Sequence, residues 1–181
     1  MNNIIWALIA VLILFVIVVY NRLVTLRNYI KEAFSTMDVY LKKRWDLVPN
    51  LVEIVKAYTT HEKEVLEDVT AIRSGDYSEM SENDKIDTNK KLGESLSKII
   101  AIVENYPDLK ANQHFTKLMD ELSLIENDIA NSRKYYNGCV RILNNTVEIF
   151  PTSMIAALFG IKSAKMFEIT EDERRNIKAE F

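Results

Sequence analysis

Residues Ile4–Tyr20 read IIWALIAVLILFVIVVY, seventeen positions without a charge, a glycine or a proline. As an α-helix rising about 1.5 Å per residue, the stretch is about 26 Å long, just under the roughly 30 Å hydrocarbon core of a bilayer. Thirteen of the seventeen are Leu, Ile, Val or Phe. At about −0.3 to −0.6 kcal/mol each, their insertion is favourable by about 4–8 kcal/mol. A buried helix of a soluble core is the competing reading. An all-round apolar run at the extreme terminus argues against it. A cleaved secretory signal would have a basic n-region and a small-residue exit. Here Met1-Asn2-Asn3 precedes the run and Val18-Val19-Tyr20-Asn21 ends it. The run is therefore read as an uncleaved single-pass anchor, with Trp6 and Tyr20 near the two membrane interfaces. No Lys or Arg precedes it, whereas Arg22, Arg27 and Lys31 follow. The positive-inside rule then places the N-terminus outside and residues 21–181 in the cytosol, with those basic side chains close to anionic head groups of the cell membrane.

All 23 basic and 26 acidic residues lie beyond this run, and the net charge is −3. That balance offers no basic face for nucleic acid. The single cysteine, Cys139, excludes an intramolecular disulfide and suits a reducing compartment. Four glycines and three prolines in 181 residues are far below ordinary usage and predict long helices.

Beyond the anchor the apolar positions are Leu23, Leu26, Ile30, Ala33, Met37 and Leu41, a helical stripe close to a heptad seam. Nothing between anchor and stripe breaks a helix, so the two are expected to be continuous. Pro49 interrupts in RWDLVPNLV, where it costs one backbone hydrogen bond and clashes with the Trp45 carbonyl. Either the helix kinks and goes on, or it restarts at Pro49. The stripe resumes at Leu51, Val55, Tyr58, His61, Val65, Val69 and Ile72 without loop residues, which favours continuation. Gly75 and the polar segment after it form a loop. A further helix is expected from about Asn83–Lys85 to Pro107. A last long helix follows Pro107-Asp108 and ends at Phe150-Pro151, roughly 63 Å if unbroken. Thr152-Ser153 is a candidate cap for a short helix, Met154–Phe159, closed by Gly160. The expectation is an all-α protein: an N-terminal transmembrane helix (1–20) continuing into an antiparallel bundle of three to four helices (21–168), with a polar tail (169–181).

Chemistry-bearing residues are sparse. His61-Glu62 does not extend to a zinc-protease HExxH, because position 65 is Val65, and His114 is distant in sequence. Cys139 has no neighbouring histidine and reads as a small packed residue rather than a nucleophile. A metal site from His61, Glu62 and His114 is the disfavoured alternative to ordinary helix-face histidines, and no phosphate loop, nucleophile elbow or paired-carboxylate spacing appears, so neither enzyme activity nor a cofactor is expected. One polar constellation stands out. Glu126, Arg133, Asn137, Asn144 and Glu148 recur at spacings of 7, 4, 7 and 4 beside the last helix's apolar stripe, while Arg44 and Asp46 flank the Pro49 region. Large polar residues beside a seam either bind a ligand or set helix register, and register-setting is the favoured reading.

These residues also carry a resemblance. RWDLVPNLVEIVKAYTTHE (Arg44–Glu62), NYPDLKAN (Asn105–Asn112), ENDIANSRKYYN (Glu126–Asn137) and LNNTVEIFP (Leu143–Pro151) resemble the sequence blocks of the LemA family, bacterial proteins with a membrane anchor and a helical bundle. Departures are small: Ile125 stands where Thr is common, Leu143 where Tyr is common, and the tail after Phe167 matches loosely. The resemblance implies an anchored antiparallel bundle with no established catalytic activity. Some relatives are similar to proteins of magnetosome membrane formation, and others are associated with membrane metalloproteases. Two readings follow. One is a scaffold that self-assembles as a homo-oligomer and organises or shapes the bilayer. The other is an adaptor or sensor for a membrane protease or signalling protein.

Overall fold

The computed structural model describes residues 2–59 and 62–167. His61 and the tail from 169 fall outside the described residues. Six α-helices occur among them, and no strand: α1 (Asn2–Tyr58), α2 (Lys63–Ile72), α3 (Glu82–Val103), α4 (Pro107–Lys110), α5 (Gln113–Glu148) and α6 (Thr152–Leu158). The described chain forms two compact units. Unit 1 comprises the chain up to Thr36 with Ser132–Met166, and unit 2 comprises Met37–Asn131 with Phe167.

In unit 1, α1 carries the apolar run. This helix is long and apolar enough to cross a membrane, and only 6% of its apolar window is buried, unlike a core helix. The stripe predicted from sequence is the packed side: Leu23, Ile30 and Ala33 are buried, and Phe34 meets Tyr136 edge to face at 5.9 Å. The short helix α6 begins two residues earlier than expected and ends at Leu158. Thr152 does not cap it. The Thr152 hydroxyl donates backward to the carbonyls of Thr146 and Ile149, satisfying the open end of α5. Gly160 closes α6 at φ 66°, where a side chain would be strained. The Ile161 and Gly160 N–H groups donate to the Ala156 and Ala157 carbonyls in a Schellman pattern.

In unit 2, α1 runs through Pro49 to Tyr58, so the proline neither ends nor restarts it. The chain reverses after Tyr58 instead, where the apolar stripe had predicted continuation. The reversal lets α2 bury Leu66 and Val69 and pack along α3. That burial outweighs a helix propensity with no strong breaker against it. Moving fourteen residues back along α1, from Tyr58 to Arg44, moves fourteen forward, from Asn112 to Glu126, so α1 and α5 are antiparallel here. Asp38 and Arg44 of α1 meet Lys85 and Asn89 of α3 in the same order, so those two are parallel. The predicted loop is more ordered than its composition suggests. Asp76 accepts from the Ser78 N–H, and a 3-10 turn, Tyr77–Glu79, buries the Tyr77 ring. Ser81 caps α3 through the Asp84 N–H, which starts that helix slightly earlier than expected. Pro107 occupies the first turn of α4, and α5 begins separately. Asn112 causes the break, because its Oδ1 accepts from the His114 and Phe115 N–H groups.

Candidate functional site

The polar centre of unit 2 is Arg44, 2% exposed on α1. Its guanidinium donates to Glu126 Oε1 on α5 at 2.6 Å. On α3 it donates to the Asn89 backbone carbonyl at 2.8 Å and to Asn89 Oδ1 at 2.6 Å. The Asn89 amide in turn donates to the Lys85 carbonyl. One side chain thus ties three helices at a single level. Gly93 lies on the same face of α3, and a Cβ there would stand 3.8 Å from Arg44 Nη1. The pairing is charge-balanced and anisotropic: Arg44 is sequestered while the Glu126 side chain keeps 44% of its surface in solvent.

A second cluster lies along α1. Asp38 accepts from the Tyr77 hydroxyl and from Lys85 Nζ, each at 2.7 Å. Lys85 Nζ stands 4.8 Å from the Tyr77 ring centre, and the Trp45 ring packs against the same tyrosine at 5.2 Å. The Arg73 guanidinium lies over Trp45 at 5.0 Å. Burial and the Asp38 carboxylate together hold the Tyr77 hydroxyl well above the usual phenol range. Burial lowers the Arg73 pKa from its ordinary value, opposed by the charge of Asp46. At the far end of the unit, Tyr106 donates to Glu62, which raises the phenol's pKa, and Asn112 donates to the Tyr58 hydroxyl.

The residues singled out by sequence separate into distinct places. Arg44 and Glu126 come together. Asp46 does not join them: it is exposed and pairs with Lys42 one turn away. Arg133, Asn137 and Asn144 belong to unit 1. Asn144 clamps the stretch after α6, its amide donating to the Ala164 carbonyl while its Oδ1 accepts from the Ala164 N–H. Tyr136 donates to the Lys165 carbonyl and pins the same stretch. Arg133 and Asn137 are half-buried, and Glu148 is exposed. Trp6, Tyr20, Arg22, Arg27 and Lys31 are all exposed along α1. Glu62 bonds Tyr106, His114 is exposed, and Cys139 is a half-buried free thiol. Among the described residues, no group of three or more His, Cys, Asp or Glu could hold a metal ion.

Sequence reasoning missed Asn89, Asp38, Tyr77 and Lys85. A signal for Asn89 existed. It interrupts the apolar stripe of α3 between Ile86 and Leu92, where a polar residue must find partners inside. Tyr77 had none, since it lies in a polar stretch.

Helix, apolar span and buried polar ties define a class: an all-helical protein with an N-terminal helix able to cross a membrane and long helices fastened by hydrogen-bonded side chains. The model of the LemA family matches residues 33–181, and the chain belongs to that family. It is similar to Protein LemA of Metamycoplasma hominis, 23% identical over 158 residues, covering 87% of this chain and 72% of that one. It is also similar to Magnetosome protein MamQ 2 of Paramagnetospirillum magneticum, 24% identical over 175 residues. Magnetosome protein MamQ of Magnetospirillum gryphiswaldense is 22% identical over 174 residues. Both alignments cover 82% of this chain but 64% of the magnetosome proteins, so the chain spans under two thirds of their length.

Proposed function

We propose that this protein is a non-enzymatic, membrane-anchored helical scaffold that self-associates on the cytosolic face and organises or shapes the bilayer. The observation that carries this reading is α1 itself. One helix, Asn2–Tyr58, contains both the apolar span and the segment bearing Asp38 and Arg44, with no loop between them. A tether for a freely moving domain needs no such continuity, and a flexible connection would serve it better. The charge-balanced Arg44 ties give α1, α3 and α5 a defined register, which a repeating assembly requires. Similarity to proteins named for the magnetosome supports the same role.

The test is native-size measurement of the full-length protein in mild detergent, followed by imaging in lipid. A discrete oligomer that persists in lipid is the expected result. A monodisperse monomer at high concentration would overturn self-assembly. If that monomer also co-purified in fixed ratio with one membrane protease, the adaptor role would take its place.

A further inference from the structure

Thirteen consecutive residues, Ile149–Ile161, carry no charge. Within them Ile149, Phe150, Met154 and Leu158 are 60–75% exposed, and Phe159 is 47% exposed. Ile155 and Ala156 alone account for the buried side of α6. Covering the bundle core therefore explains only those two residues and leaves Ile149, Phe150, Met154 and Leu158 largely exposed. Contiguous apolar surface of this kind marks a site of interaction.

Its position identifies the occupant. Val19 is buried although Val18 beside it is 58% exposed, so unit 1 begins to pack inside the last turn of the apolar run. There the Tyr20 and Phe159 rings meet at 4.6 Å. The exposed face of α6 is thus continuous with the exposed surface of the span and stands at its C-terminal end. Lys162 and Lys165 follow immediately and are exposed.

We propose that Phe150, Met154, Leu158 and Phe159 form a second membrane contact. They would enter the head-group and upper acyl region of the leaflet in which Tyr20 ends, with Lys162 and Lys165 at lipid phosphates. The inference rests on the reading of Ile4–Tyr20 as a bilayer span.

The experiment uses the full chain carrying Cys139→Ser, with single cysteines introduced as Met154→Cys, Leu158→Cys, Val11→Cys or Lys117→Cys. All four receiving positions are exposed, so the fold tolerates the label. Each variant carries an environment-sensitive fluorophore in vesicles of phosphatidylethanolamine and phosphatidylglycerol. Quenchers are a nitroxide high on the lipid acyl chain, a nitroxide near its end, and aqueous iodide. Labels at 154 and 158 should be quenched by the shallow nitroxide at least about twofold more than the label at 117, and shielded from iodide. Iodide access equal to that at 117 overturns the inference. Protection from both iodide and nitroxide also overturns it and assigns the face to a second copy. The label at Val11 reports the span separately. Deep quenching there with water-exposed α6 labels rejects only the second contact. Its absence rejects the span as well.

Discussion

Arg44 is buried with donors directed at two neighbouring helices, and its cost is contained only while Glu126 and Asn89 remain in place. Removing the carboxylate leaves a desolvated guanidinium with a weakened shell, the most expensive way to break such a pair. Because Glu126 is partly solvated, Glu126→Ala is expected to lower stability by about 1–3 kcal/mol, below the full cost of a sealed pair. Asp46→Ala, which breaks the exposed Lys42 pair and removes a charge that acts on Arg73, should stay within about 0.5 kcal/mol. Urea unfolding of the two variants side by side checks the contrast, and equal midpoints would contradict it.

Tyr77 makes a pH-dependent prediction. Its folded pKa is raised above the unfolded value by burial first and by Asp38 second. The folded state thus favours the neutral phenol. The associated stability is complete below about pH 10, the ordinary phenol value, and is lost as pH rises above it. Tyr77→Phe removes this dependence along with the hydrogen bond. The variant should start less stable at neutral pH and lose less stability between neutral and strongly alkaline pH than the parent. Parallel stability–pH curves for the two proteins would show that Tyr77 does not titrate as described.

At the scale of elements, α1 tests how strongly packing overrides local preference. Pro49 lies inside it, so the Trp45 carbonyl has no helical N–H to accept from. Pro49→Ala restores that donor without asking the backbone to change course. The variant is expected to gain about 1–2 kcal/mol, less than the full proline cost because the half-buried ring also makes contacts. A fall in melting temperature would mean that the proline shapes α1 for its neighbours. The periodic spacing of Leu23 through Leu41 made most of α1 legible from sequence. The reversal after Tyr58 was not legible, because the apolar stripe runs on through Val69 and no glycine or proline marks the turn. The break before α5 was nearer to visible, since Asn112 is a strong capping residue. Its capping geometry, however, depends on a chain that has already turned at Pro107.

For the whole molecule, charge asymmetry about the apolar run predicts an orientation in the membrane. With Arg22, Arg27 and Lys31 retained inside, Cys139 should face the cytosol. An impermeant maleimide added to intact cells is expected to leave Cys139 unlabelled. Labelling should appear after lysis and denaturation, which also removes any effect of its partial burial. Labelling of intact cells would reverse the expected topology and place the residues after the span on the opposite face.

The apolar run able to cross a membrane, the helical class and the family membership were determined by sequence alone, since transfer free energy, helical period and sequence blocks are properties of short stretches. Arg44 and Glu126 were likewise recognisable as polar residues beside apolar stripes. Their pairing, the exclusion of Asp46, the recruitment of Asn89 and the Asn144 clamp on Ala164 were decided only by tertiary structure. Each depends on which helices become neighbours, and in what register. The exposed face of α6 belongs to the same category: thirteen uncharged residues fit a core or a membrane equally well until Ile155 and Ala156 are seen to take the inward side.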